Sequence, residues 1–129
     1  MTTHVLAVAA ATVAAFAFSA VWYGTLSGVL GRLSPAYADS GAMRPGQILP
    51  EVLRCAVVAT VLALACARMD VTGVGAALLV TLLTWAGFPL VLLTGSVLHE
   101  RVPWRLAAVH AGDWLIKLVA VTLIVGLWR

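Results

Sequence analysis

The chain has 129 residues, of which 63% are hydrophobic and only 10% charged, and its mean hydropathy is +1.06. A soluble domain is roughly half apolar and about one quarter charged, so lipid is the expected solvent for most of this chain and a soluble catalytic domain is excluded. The net charge of +3 comes from eight basic and five acidic residues spread thinly over segment ends; with no basic run, nucleic acid is not an expected partner.

The length suits a single domain of about four spans. The first apolar segment covers residues 4–30, with no formal charge between the amino terminus and Arg32. Alanines before Ser19-Ala20 imitate a signal-peptide cleavage site. No Lys or Arg precedes the run, however, and the run is too long for a signal core, so it reads as a retained transmembrane helix ending in the interfacial pair Trp22-Tyr23. Gly24 and Gly28 have small-xxx-small spacing, read here as a feature of the helix end rather than a close helix contact. Residues 31–47 form a loop broken by Pro35, Pro45 and Gly46, and its apolar members Leu33, Tyr37 and Met43 predict that it lies at the membrane interface.

The second segment covers residues 48–68, with Pro50 suited to a first helical turn and Glu51 to the positive end of the dipole. Only thirteen uncharged residues separate Arg54 from Arg68, too few for a span of about 20. Glu51 and Arg54, three apart, must therefore pair or snorkel near the membrane edge, as an interfacial ion pair or as a lid over a site. Cys55 and Cys66 share a face but are separated by about 16 Å along the axis, too far for a disulfide; they read as small packing residues.

Residues Met69 to Gly75 predict a tight turn, making segments two and three an antiparallel hairpin. The third segment, residues 74–98, should be kinked near Gly87 and Pro89. Its Thr81, Thr84 and Phe88 share a face, with Trp85 beside them. These residues either pack, the threonines bonding their own preceding carbonyls, or line a ligand pocket at the kink. A short polar loop at residues 99–103 leads to the fourth segment, residues 104–128, anchored by Trp104. The expected fold is an all-α, integral membrane four-helix bundle with antiparallel up-down topology.

The fourth segment carries the strongest anomaly. His110, Asp113 and Lys117 fall at i, i+3 and i+7, within an arc of about 60°. Lys117 lies near the expected bilayer midplane, where a charge costs at least about 2.5–3.5 kcal/mol. Such groups usually face protein or a polar cavity and mark function. Asp113 and Lys117 have the favourable order for an i, i+4 pair, and His110 can exchange a proton near neutral pH. Two ligands and a nearby ammonium do not make a metal site, and no motif implies a cofactor. Basic residues bias orientation: Arg32, Arg44, Arg54, Arg101 and Arg105 flank loops one and three, against Arg68 and Arg129 on the other side. This places loops one and three in the cytoplasm and both termini outside.

Several motifs resemble the DUF1761 family. Trp22-Tyr23, Gly87-Phe88, Leu98-His99-Glu100-Arg101-Val102-Pro103, Val109-His110-Ala111-Gly112-Asp113-Trp114 and Trp128 align with its pattern of an early Trp-Tyr, a late "FEGR", then "NAGYH" and a closing Trp. The resemblance implies a small four-helix bacterial protein of the plasma membrane, without an assigned biochemical role. The chain departs from that pattern where chemistry is concerned: His110, Asp113 and Trp114 stand where the family pattern has Asn, Tyr and His. Three functions fit the stripe. The first is binding or carriage of a small molecule or proton, with a homo-oligomer as the expected assembly. The second is a membrane-embedded enzyme using Asp113, His110 and Lys117 on a lipophilic substrate (terpenoid or lipid) against Trp85, Phe88 and Trp114. The third is an accessory subunit assembled through the charge pair.

Overall fold

A computed structural model describes residues 2–37 and 44–128; Asp39 and Met43 lie outside them. The regular structure of the described residues is helical. It comprises α1 (Thr2–Thr25), α2 (Ser27–Leu33), a 3₁₀ turn (Pro35–Tyr37), α3 (Pro45–Arg68), α4 (Val74–Gly87), α5 (Pro89–His99) and α6 (Trp104–Leu127). Among the described residues four stretches are long and apolar enough to cross a membrane: His4–Thr25, Pro45–Arg68, Val74–His99 and Trp104–Leu127.

Local chemistry sets the breaks. The first apolar segment is not one helix to residue 30, because Leu26 leaves helical geometry between α1 and α2. At the preceding residue the Thr25 hydroxyl donates to the Trp22 carbonyl at 3.0 Å, a competing bond that favours bending. A Cβ built on Gly24 or Gly28 would meet nothing within 4 Å, so neither glycine serves a close contact between the described helices of one chain. The second segment starts three residues earlier than the sequence predicts. Pro45 takes the first-turn position, the Arg44 N–H donates to Gln47 Oε1 at 3.0 Å, and Pro50 stands inside the helix. Pro50 has no N–H to give the Gly46 carbonyl. Between α4 and α5, Phe88 has φ −121° and ψ −79°, and Pro89 opens α5. The α3 helix ends in a Schellman-type turn: Asp70 adopts φ 52° and the Val71 N–H donates to the Cys66 carbonyl at 3.0 Å.

Helix α6 is the hub, packing on α1, α2, α3, α4 and α5, while α1 also packs on α3. A third of its apolar window is buried (33%), against 17–22% in the other three spans. Helices α3 and α4, expected as hairpin neighbours, each rest on α6 rather than on an extended interface with one another. They come together only near the end of α6, where a Cβ on Gly126 would lie 3.3 Å from Val71, 3.7 Å from Ala77 and 3.8 Å from Cys66. Between α1 and α3 the packing is built from small side chains. Ala11 and Ala15 of α1 share one buried cluster with Cys55, Ala59 and Cys66 of α3 and with Leu118 and Val121 of α6, and Ala7 and Ser19 continue the buried α1 face at four-residue spacing. Small faces let backbones approach closely where lipid removes the hydrophobic drive for association. Both cysteines are free thiols within this packing.

An ionisable cavity between three helices

Helix α6 presents Asp113 and Lys117 towards α1 and α3, and both are buried, at 4% exposure each. From α1, the Ser19 hydroxyl donates to Asp113 Oδ1 at 2.5 Å. The other carboxylate oxygen lies 3.4 Å from Lys117 Nζ. From α3, Glu51 Oε1 lies 3.6 Å from the same ammonium, and Glu51 Oε2 accepts from Arg54 Nη1 at 2.6 Å. The result is a line of alternating charge, Asp113–Lys117–Glu51–Arg54, that runs from the interior to an exposed guanidinium and sums to zero. Buried ions are tolerable only with such compensation. Within it the Lys117 ammonium is the least tightly held member: 3.4 and 3.6 Å exceed the roughly 2.7–2.9 Å of a charge-assisted hydrogen bond. It also sits 4.7 Å from the centre of the Trp114 ring, within cation–π range.

One turn towards the start of α6, His110 Nδ1 and the Tyr23 hydroxyl share a hydrogen bond of 2.6 Å. Tyr37, from the 3₁₀ turn, stacks on Tyr23 with ring centroids 6.4 Å apart and planes 4° from parallel, and its ring also approaches His110. Burial, and secondarily the Asp113 charge, pushes the Tyr37 hydroxyl above its ordinary pKa of 10.0. These groups all face one cavity of about 890 Å³, completed by Phe16, Pro50, Arg44 and Gln47 among others.

Two indoles fix α6 at this level. Trp22 Nε1 donates to the Val109 carbonyl at 2.9 Å from α1, and Trp85 Nε1 donates to the Ala111 carbonyl at 2.9 Å from α4. Trp22 also requires Gly112, since a Cβ there would come within 2.5 Å of Trp22 Cζ2.

The structure thus brings together His110, Asp113, Lys117, Trp114, Glu51 and Arg54 on one cavity wall. His110 is hydrogen-bonded to Tyr23, whereas Asp113 is engaged by Ser19 and Lys117. The other four residues predicted to line a ligand site lie elsewhere. Thr81 bonds Thr122 and the Ala77 carbonyl, and Thr84 bonds the Val80 and Thr81 carbonyls. Trp85 caps the α4 side of α6, and Phe88 is exposed. They fail to reach the cavity because α4 packs on α6 away from the α1–α3 side. Sequence reasoning missed Ser19, Tyr23 and Tyr37. Ser19 and Tyr23 share a face with Trp22 at helical spacing, but in the sequence Ser19 stands in a cleavage-site look-alike and Trp22-Tyr23 reads as an interfacial pair. Tyr37 carried no comparable signal, since a loop residue's partner is set by where the loop folds. Among the described residues, no three His, Cys, Asp or Glu side chains are grouped to hold a metal ion.

Fold and site together define a small helical protein, its four long helices able to cross a membrane, with a charged cavity between three of them. The family model described as "Protein of unknown function (DUF1761)" matches residues 6–126, and the chain belongs to that family. No curated protein and no solved structure matches it.

Proposed function

We propose that the protein binds a small molecule in the cavity between α1, α3 and α6, with Lys117 as its principal polar contact. The observation that carries this reading is the convergence of Asp113, Lys117, Glu51 and the Tyr23–His110 pair on one cavity of about 890 Å³, within the roughly 300–1,000 Å³ of ligand sites. Phe16 and Trp114 supply apolar wall, Tyr23 and His110 can donate or accept a proton, and the loosely held ammonium of Lys117 has donors to give. The three positions at which the chain departs from the family pattern, His110, Asp113 and Trp114, all line this space. In this reading the four spans alternate in direction across a bacterial plasma membrane, the third bends at Gly87 and Pro89, and loops one and three face the cytoplasm.

The test is mass spectrometry of small molecules released from the purified protein. A compound should be recovered from the wild type and lost from both Asp113→Asn and Lys117→Met. Equal recovery from all three proteins overturns the reading. A second reading, acid–base chemistry on the bound molecule, is favoured by the 2.6 Å contact between the Tyr23 hydroxyl and His110. It expects Tyr23→Phe to retain the compound and stop its conversion, and full conversion by that variant would dispose of it.

A further inference from the structure

Beside the cavity, Leu53, Arg54, Val57, Val58 and Trp114 line a shallow apolar groove of about 350 Å³ between α3 and α6. Arg54 and Trp114 line the cavity as well, so the two spaces adjoin at these residues. The outer edge of the groove is formed by Leu53 and Val57, 56% and 62% exposed, on a helix able to cross a membrane. In a bilayer such an edge faces hydrocarbon, and a chain from the lipid phase could enter sideways without crossing the headgroup layer.

Resting on the reading of the cavity as a binding site, we infer that its ligand is a single-chain amphiphile with an acidic head, a phosphate or a carboxylate. The head occupies the cavity and the hydrocarbon chain lies in the α3–α6 groove. The polarity of the head follows from which groups are already engaged. Asp113 is held by Ser19 and Lys117, and Glu51 by Arg54 and Lys117. The cations keep donors in reserve. Arg54 uses one nitrogen of its fork on Glu51, Arg44 forms no ion pair with any described residue, and the Lys117 contacts are long. A guanidinium has five N–H donors and no acceptor, so this wall calls for acceptor oxygens. The charged residues of the cavity also favour an anion, with Arg44, Arg54 and Lys117 against Glu51 and Asp113. Trp114 is placed to meet the first carbons of the chain as it leaves the head.

Purified protein in phosphatidylcholine nanodiscs, examined by native mass spectrometry, tests this with four probes: dodecyl phosphate, dodecanoate, dodecyltrimethylammonium and inorganic phosphate. The two acidic amphiphiles should bind saturably and at least roughly tenfold more tightly than either other probe. Val57→Trp fills the groove from an exposed position, so folding is not at risk. It should weaken both acidic amphiphiles about tenfold and leave inorganic phosphate unaffected. Equal binding of the trimethylammonium probe overturns the acidic head. Inorganic phosphate binding as tightly as dodecyl phosphate, or indifference to Val57→Trp, overturns the lateral chain. If no amphiphile binds while a co-purified molecule still depends on Lys117, the inference fails and the cavity reading stands; if neither occupies the cavity, both fail.

Discussion

Lys117 is the residue on which the buried charges depend. Replacing it with Met leaves Asp113 and Glu51 facing each other without a shared cation, and breaking a buried pair by removing one partner costs about 3–5 kcal/mol. Asp113→Asn keeps a group that can accept from Ser19 and should cost less. In the double variant the uncompensated charge at this pair is gone, so its loss of stability should fall below the sum of the singles; denaturant titration in detergent measures the difference. An additive result would mean that the two charges do not interact. Gly112 is a steric counterpart: a methyl group at 2.5 Å from Trp22 must displace the indole. Gly112→Ala should therefore cost about 1–3 kcal/mol, with part of the loss recovered when Trp22 is shortened to Phe. Tyr37 gives a pH signature. Its hydroxyl is raised by burial, so its contribution to stability is complete below its ordinary pKa of 10.0 and is lost as pH rises through the higher folded value. Tyrosinate absorbance in the folded protein should include a late-titrating component that Tyr37→Phe removes.

At the scale of elements, α6 is held in place by polar contacts from both sides as much as by apolar packing. In lipid the hydrophobic effect does not drive helices together, so interhelical hydrogen bonds and close small-residue contacts take its place. The buried Thr81–Thr122 hydroxyl pair joins α4 to α6 on the side away from the cavity. Thr122→Val preserves shape and removes that bond. It should lower stability by about 0.6 kcal/mol, up to roughly 1.7, without altering ligand recovery. A loss of ligand in Thr122→Val would show that the α4 side communicates with the cavity. Pro50, inside α3, has no N–H for the Gly46 carbonyl, and both residues line the cavity.

For the whole molecule, the arginine distribution predicts an orientation. A cysteine at Ser40, in the loop outside the described residues, should resist an impermeant thiol reagent added to intact cells and react once the membrane is opened. Labelling from outside would reverse the orientation. The cavity is lined from α1, α2, the 3₁₀ turn, α3 and α6, and Tyr37, Arg44 and Gln47 are among its lining residues. These three residues lie in or beside loop one, so the same measurement establishes which compartment that end of the cavity is nearer to.

Much of the architecture was legible in the apolar composition and its interruptions. Four apolar stretches separated by Pro, Gly and charged residues leave helices as the available structure, and an aspartate with a lysine one turn later on the last stretch calls for polar partners, which Ser19 and Glu51 supply. The Glu51–Arg54 spacing on α3 likewise announced an ion pair. What a single strip of sequence could not contain is which helix faces which. Periodicity places residues on a face but is silent about the partner of that face, so it offers Thr81, Thr84 and Phe88 for the site and passes over Ser19 and Tyr23. Tertiary structure decided between them by setting α6 in the middle, with α1 and α3 on one side and α4 on the other. That choice follows from the small-residue faces of α1 and α3, which let those helices close on one another and bring Glu51 to within ion-pair distance of Lys117.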